Sequence, residues 1–218
     1  MNHYDIAILG GDRRIACMAP IFAKEGCRVI CYGTRDLEED PEPNPSCQTA
    51  SSLKDALDTA GTIVCGIPFE KSGFLYCEDR LRIPIPELQR CLRKHQILFA
   101  GLIPDDFRHH CEERSIKCHD FMKDEPLTLF NAVATAEGAI LEALSHKGTL
   151  LHQSNCLVLG FGRCGSLIAE RLKGLNAKVT VSAQRLAALA QAETKGFSVF
   201  PLADLTGEIS KYDDIFNT

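Results

Sequence analysis

The sequence predicts an α/β protein: an N-terminal flavodoxin- or Rossmann-like parallel-sheet domain followed by an incomplete Rossmann dinucleotide-binding domain. Two observations support this fold class. Short β-branched segments such as YDIAILGG (4–11) and TIVCGIP (62–68) alternate with amphipathic helical segments, which is typical of parallel sheets with helices on both faces. A strand, a glycine-rich turn, a helix and a second strand then follow one another at 156–185, in the order that a dinucleotide-binding unit requires.

The elements before the glycine turn follow the same alternation. We predict strands at 4–11, 28–33, 62–68 and 96–104, helices at 19–26, 53–60 and 86–95, and a short strand at 116–122. The acidic, proline-containing segment 34–52 is predicted to be a surface loop. Good helix formers fill 131–148, which ends in Lys-Gly. We therefore expect an α/β domain at 1–130, a bridging helix at 131–148 and a partial nucleotide-binding domain at 149–218.

Composition excludes several classes of partner. The formal charge of −5 over 218 residues argues against nucleic acid or an anionic membrane, because both select a basic surface. No apolar run approaches the ~20 residues that span a bilayer, and the N-terminus enters a strand without a charged leader. We therefore expect a cytoplasmic protein with no membrane segment.

The eleven cysteines do not indicate a disulfide scaffold or a metal site. Cys65 and Cys156 lie in apolar strand segments, where a free thiol behaves as a small hydrophobic side chain. The grouping of Cys111, Cys118 and His119 matches no zinc-binding spacing, and no CxxC pair occurs. We expect no metal.

The glycine turn at 160–165 is the strongest functional signal. Gly160 permits a tight turn, Gly162 lets the backbone approach a pyrophosphate, and Gly165 lets the helix pack closely on the sheet. The free N–H groups of the helix start favour phosphate. A turn that serves packing alone is the alternative. The residues assigned to the cofactor are Gly160, Phe161, Gly162, Arg163, Cys164, Gly165, Ser182 and Arg185.

The end of the second strand favours NADP over NAD. NAD sites usually place an acid there for the ribose 2′-hydroxyl, whereas the strand ends here in SAQR (182–185). Ser182 can hydrogen-bond a 2′-phosphate and Arg185 can pair with it. Arg163, inside the turn, is a phosphate ligand or a solvated surface arginine.

The first sheet is predicted to hold the substrate. The sequence GGDRR (10–14) follows the first strand, at the sheet edge where open α/β sheets bind ligands. Arg13 or Arg14 offers a bidentate partner for a carboxylate, although solvated arginines are equally compatible with the pattern. The residues assigned to substrate are Gly11, Asp12, Arg13, Arg14 and Asn131.

The start of the bridging helix offers catalytic candidates. Thr135 could reach a reacting group, and Glu137 is a general acid or base or, as the stronger alternative, an acid favoured near a helix N-terminus. None of the seven histidines lies in a pattern with a carboxylate that would mark a dehydrogenase base.

Several segments together resemble the dipicolinate synthase A-subunit family of endospore-forming bacteria. They are Gly10-Gly11-Asp12 with Arg14, FAGLI (99–103), NAVATAEGAI (131–140), VLGFGRCG (158–165) and DDIFNT (213–218). The resemblance spans the chain in order. It implies oxidation of a dihydro- or hydroxytetrahydro-dipicolinate, an intermediate of the lysine pathway, to the aromatic dicarboxylate with hydride passed to NADP. It also implies a role in sporulation together with a flavoprotein-like second subunit, and we expect a homo-oligomer.

The family resemblance implies a longer chain than this one. Family members continue beyond the fourth strand of the nucleotide unit, so we expect a C-terminally shortened member or a fragment. Two alternatives stay open at this point. One is another two-domain dehydrogenase of the 2-hydroxyacid type; the other is a subunit for assembly that binds the nucleotide without turnover.

Overall fold

The computed structural model describes residues 3–34, 46–78, 81–148 and 150–218. The chain divides into two compact units, Met1–Asp124 and Glu125–Thr218. Most of the predicted loop at 34–52 lies outside the described residues. The domain borders expected at residues 130 and 148 stay a prediction.

The first unit alternates strands and helices along its length. Its strands are β1 (Tyr4–Leu9), β2 (Val29–Tyr32), β3 (Cys47–Thr49), β4 (Ala60–Cys65), β5 (Glu70–Lys71), β6 (Phe74–Leu75), β7 (Ile83–Pro84), β8 (Ile97–Ala100) and β9 (Lys117–Asp120). Its helices are α1 (Arg13–Ala16), α2 (Met18–Lys24), α3 (Leu53–Thr59), α4 (Ile85–Cys91) and α5 (Asp105–Glu113), with a 3-10 turn at Phe121–Lys123.

Six strands of this unit form a parallel sheet in the order β3-β2-β1-β4-β8-β9. Alternate residues of each central strand face opposite layers, as the period of two requires. Ala7 and Leu9 face a core completed by α3, α4 and α5, whereas Ile8 faces a smaller core with α1 and α2. Helices therefore cover both faces, and the predicted fold class is confirmed.

The first unit differs from the sequence predictions in strand β3, in helix α5 and in the short antiparallel sheet of β5, β6 and β7. Cys47–Thr49 forms edge strand β3 inside the predicted loop, because these residues pair with Val29–Cys31 in parallel register. Helix α5 was not predicted, since only Phe107 and Cys111 give its polar sequence an apolar face. Four-residue spacing between two apolar positions is a weak helix signal.

The second unit contains a smaller parallel sheet. Its strands β10 (Asn155–Leu159), β11 (Lys178–Ala183), β12 (Ser198–Pro201) and β13 (Asp214–Asn217) lie in the order β12-β11-β10-β13. Its helices are α6 (Glu125–Lys147), α7 (Arg163–Gly174), α8 (Leu186–Thr194) and α9 (Leu205–Glu208), with 3-10 turns at Leu202–Asp204 and Ile209–Lys211. This order, 3-2-1-4, matches the first four strands of the dinucleotide-binding order 3-2-1-4-5-6.

Helix α6 begins at Glu125, six residues before the predicted start at Asn131. Pro126 lies in its first turn, where a missing N–H costs nothing because that donor has no partner within the helix. Ala132 and Ala136 are buried, whereas Leu141 is 63% exposed. Among the described residues, one helix is long and apolar enough to cross a membrane, judged by length and composition alone. This helix is Glu125–His146, and its mean hydropathy is 1.3.

Candidate functional site

The glycine turn of the second unit connects β10 directly to α7. Gly160 has a φ of +97°, in the left-handed region that residues with a side chain rarely adopt. Its amide donates to the Ser182 carbonyl at 2.8 Å, which fixes the turn to the neighbouring strand. Gly162 is the N-cap residue of α7. The turn thus ends at a helix N-terminus, whose N–H groups and dipole favour an anion.

The three glycines of the turn have different surroundings. A methyl group on Gly165 would stand 2.3 Å from the Gly160 carbonyl oxygen, and one on Gly160 would stand 2.7 Å from the Thr218 hydroxyl. A methyl group on Gly162 would meet nothing within 4 Å. Gly160 and Gly165 are therefore required for packing, whereas Gly162 leaves open space above the backbone. This arrangement fits a bound pyrophosphate.

A pocket of about 790 Å³ lies against this turn. Its size lies within the range of about 300–1,000 Å³ that is common for small-molecule sites. Its lining includes Gln184 and Arg185, directly after β11, and the apolar residues Ala188, Leu202 and Leu205. Apolar lining suits a flat base ring, while the glycine turn suits phosphates.

All six residues of the turn that were assigned to the cofactor line the pocket, namely Gly160, Phe161, Gly162, Arg163, Cys164 and Gly165. The Phe161 ring itself is buried and packs edge-on against Phe197, with 5.8 Å between ring centroids. Phe161 therefore anchors the turn to the core of the second unit.

Arg163, the first residue of α7, forms a bidentate ion pair with Glu125, the first residue of α6. Nη2 lies 2.6 Å from Oε2, and Nε lies 3.1 Å from Oε1. These hydrogen bonds raise the pKa of the Arg163 guanidinium. The pair was missed from the sequence, because helix α6 was predicted to start after Glu125.

Ser182, assigned from the sequence to a 2′-phosphate, lies within strand β11. Strand β11 continues through Ala183, which is paired with Pro201. Ser182 consequently lies one residue inside the sheet, with no exposed surface and no hydrogen-bond partner for its hydroxyl in the described part of the chain. Its role toward a 2′-phosphate stays a prediction.

The chain becomes exposed directly after β11, at Gln184. Gln184 and Arg185 both line the pocket, and Arg185 is exposed at the N-cap of α8. Among the described lining residues of this pocket there is no aspartate or glutamate. Arg185 therefore keeps its predicted place, and Gln184 is a polar neighbour that was not assigned from the sequence.

The predicted catalytic residues lie on α6 and do not line this pocket within the described chain. The Thr135 hydroxyl donates to the Asn131 carbonyl at 2.8 Å, one helical turn earlier. Glu137 accepts from Arg171 on α7 at 3.3 Å, with its side chain 65% exposed. Asn131 is half-buried on the same helix. Their chemical roles stay predictions.

The glycine turn of the first unit is closed by protein. The Gly10 amide donates to the Tyr32 carbonyl, and the Gly11 amide donates to the Tyr76 carbonyl at 2.6 Å. A methyl group on Gly10 would stand 2.7 Å from the Cys77 sulfur. The segment after β6 thus packs directly on the turn, and these two amides are not available to a ligand.

Asp12 and Arg14 form a local ion pair beside this closed turn. Asp12 caps α1 by accepting from the Arg14 amide at 2.9 Å, and its carboxylate also accepts from Arg14 Nη2 at 2.7 Å. Hydrogen bonds from Arg14 lower the pKa of Asp12. Arg14 also donates to the Ile67 carbonyl at 3.0 Å. The neighbouring Arg13 is exposed.

Two pocket residues were missed because they come from a distant strand. Asn217 and Thr218 line the pocket at the end of β13. The hydroxyl and the amide of Thr218 both donate to the Leu159 carbonyl. The segment DDIFNT carried the family resemblance, but no local pattern placed it beside β10.

The first unit corresponds to a described protein family. A family model for the N-terminal domain of the dipicolinate synthase A-subunit matches residues 5–122, more than half of the chain. The chain belongs to the dipicolinate synthase A-subunit family. The resemblance stated from the residues is thereby confirmed.

Comparison with individual proteins extends this likeness over the whole chain. The dipicolinate synthase A-subunit of Bacillus subtilis (strain 168) is 24% identical over 222 residues, covering 98% of this chain and 72% of that protein. The crystal structure of the dipicolinate synthase A-subunit from Bacillus halodurans has a TM-score of 0.74 at 20% identity, covering 100% of this chain and 74% of that one.

A more distant solved structure shares the fold. The transhydrogenase from Sinorhizobium meliloti has a TM-score of 0.55 at 12% identity, over 98% of this chain and 69% of that one. The family member described here therefore has a dehydrogenase-type fold.

Proposed function

We propose that this chain is an NADP-dependent oxidoreductase subunit that forms dipicolinate, pyridine-2,6-dicarboxylate, from a dihydro- or hydroxytetrahydro-dipicolinate. The observation that carries the proposal is the open glycine turn, where the position of Gly162 leaves room for a pyrophosphate at the start of α7. Membership of the family supports the substrate class. The role in sporulation, the branch from the lysine pathway and the cytoplasmic location stay predictions.

The proposed oxidation removes a hydride from a ring carbon and a proton from the dihydro substrate, and the ring becomes aromatic. The hydroxytetrahydro form also loses water. NADP would accept the hydride when bound. Because aromatisation favours product, the protein contributes mainly by holding the ring and the nicotinamide in contact.

The residues of the second unit bind and orient in this proposal. Gly160, Gly162 and Gly165 shape the turn for the pyrophosphate, and the N-terminus of α7 stabilises its charge. Arg185 pairs with the 2′-phosphate, supported by its exposed place at the pocket wall and by the lack of an acid among the described lining residues. NAD is the less favoured cofactor on the same grounds.

The first unit binds the substrate in this proposal. Arg13 or Arg14, both exposed beside the closed turn at 10–14, is the proposed partner for a substrate carboxylate. The Tyr76 carbonyl takes the amide of Gly11, so Gly11 is left out of the proposed substrate contacts. Asp12 and Asn131 are proposed to bind the substrate, and Thr135 and Glu137 are the proposed catalytic residues. A homo-oligomer and a flavoprotein-like second subunit complete the proposal.

The test is a parallel calorimetric titration of the 218-residue chain with NADP and with NAD. We expect both to bind and NADP to bind more tightly. If neither cofactor bound, the cofactor assignment would be refuted. The same chain is then assayed for oxidation of dihydrodipicolinate in the presence of the second subunit. Binding without oxidation would favour the alternative of an assembly subunit that holds the nucleotide without turnover.

A further inference from the structure

The Arg163 guanidinium, beside the glycine turn, is engaged in an ion pair with Glu125. Arg163 directly follows Gly162, and it lines the pocket where the proposed pyrophosphate binds. Glu125 does not line that pocket within the described chain. The guanidinium is therefore directed to a carboxylate outside the pocket by two hydrogen bonds of 2.6 and 3.1 Å.

A carboxylate and a phosphate present the same feature to an arginine. Each offers two oxygens that accept from the planar fork of the guanidinium. In the Arg163–Glu125 pair that fork consists of Nε and Nη2. One edge of the guanidinium cannot hold two anions at once, so a phosphate that takes this edge must displace Glu125.

We propose that Glu125 competes with the dinucleotide pyrophosphate for Arg163, so that Glu125 is a positioning residue that lowers the affinity for the cofactor. This inference rests on the proposed function. Both side chains are about half exposed, 47% for Arg163 and 60% for Glu125. Exposed ion pairs are weak, so the pair can open when a phosphate arrives.

Another acidic residue of the same helix provides a matched control. Glu142 of α6 is 71% exposed, its carboxylate lies 3.1 Å from His146 Nδ1, and neither residue lines the pocket within the described chain. Replacing Glu142 by glutamine removes the same charge from the same helix. It leaves the surroundings of Arg163 unchanged.

The experiment compares dissociation constants for NADP and NAD by calorimetry in the wild type, Glu125→Gln, Glu142→Gln, Arg163→Gln and the double variant Glu125→Gln/Arg163→Gln. We expect Glu125→Gln to lower the dissociation constants of both cofactors by roughly two- to five-fold, the range that an exposed ion pair allows. The two shifts should be equal, because NADP and NAD share the pyrophosphate. Glu142→Gln should change neither dissociation constant.

Two further measurements separate competition from a general structural effect. Glu125→Gln should have no effect in the Arg163→Gln background, because the contested group is gone. Its effect in the wild-type background should shrink as salt is added, since exposed charges are screened. Unchanged or weaker binding in Glu125→Gln, or an effect that persists without Arg163, would overturn the proposal. If the wild type bound no dinucleotide, the proposed function itself would fail.

Discussion

Gly165 lies so close to Gly160 that a methyl group at position 165 would stand 2.3 Å from the Gly160 carbonyl oxygen. No shift of a flexible side chain can relieve this contact, because the obstructing atom belongs to the backbone. The pair thus fixes how closely α7 approaches the end of β10, and with it the depth of the glycine turn.

Gly165→Ala is therefore expected to destabilise the second unit. Overpacking of this kind typically costs about 1–3 kcal/mol, and urea unfolding followed by circular dichroism measures it. Gly174→Ala, in the last turn of the same helix, is the control, because a methyl group there meets nothing within 4 Å. That change should leave stability equal or slightly raised. Equal stability of both variants would contradict the packing role of Gly165.

Gly162→Asp is expected to abolish cofactor binding without unfolding the chain. The position is open, so the new side chain fits the protein but meets the pyrophosphate with its bulk and negative charge. Calorimetry with NADP measures the loss, and circular dichroism checks the fold. Gly138→Asp, on an exposed part of α6 with open space around it, is the matched control. Unchanged affinity in Gly162→Asp would rule out the proposed site.

Arg185→Asp is expected to shift preference from NADP toward NAD. The new carboxylate repels a 2′-phosphate and can accept from a ribose 2′-hydroxyl. Titration of each cofactor into the variant and the wild type gives the ratio of dissociation constants, which should change by at least about ten-fold if a charge-assisted contact of roughly 1.5–3 kcal/mol is lost. An unaltered ratio would remove Arg185 from the 2′-phosphate site.

Asp12→Asn is expected to change the acid stability of the first unit. The folded-state pKa of Asp12 lies below its ordinary value of about 3.9. Its pairing with Arg14 therefore stabilises the fold fully above that ordinary value, and the contribution is lost as pH falls through the folded-state pKa. Asparagine still caps a helix well, so the variant removes mainly the charge.

The expected difference between wild type and Asp12→Asn is less than about 1 kcal/mol, because Arg14 is well exposed to solvent. Chemical unfolding at a series of pH values measures it. The difference should be constant near neutral pH and shrink below about pH 4. A difference that grew on acidification would contradict the assigned ion pair.

The local patterns of the sequence were sufficient to predict the two parallel sheets and the glycine turn. Gly160, Gly162 and Gly165 lie where the strand, turn and helix order placed them, because that geometry is set by neighbours within about thirty residues. The alternation of short apolar strands with helices likewise predicted two parallel sheets. Both predictions depend on local periodicity, which a single sequence records.

Features that depend on distant contacts were not predictable in the same way. The burial of Ser182 follows from the extent of pairing between β11 and β12, and strand ends are poorly marked in a sequence. The closure of Gly11 by Tyr76 and the pair of Arg163 with Glu125 join residues far apart in the chain. No local pattern connects such residues before the fold is known.

The closure of the turn at Gly10 and Gly11 also bears on how many dinucleotide molecules each chain binds. The chain contains two parallel sheets of related strand order, and a doubled site would be a natural assumption for such a molecule. In the first sheet, however, the Gly11 amide is taken by the Tyr76 carbonyl, in the position where a phosphate would need a donor. One molar equivalent of dinucleotide should therefore saturate each chain.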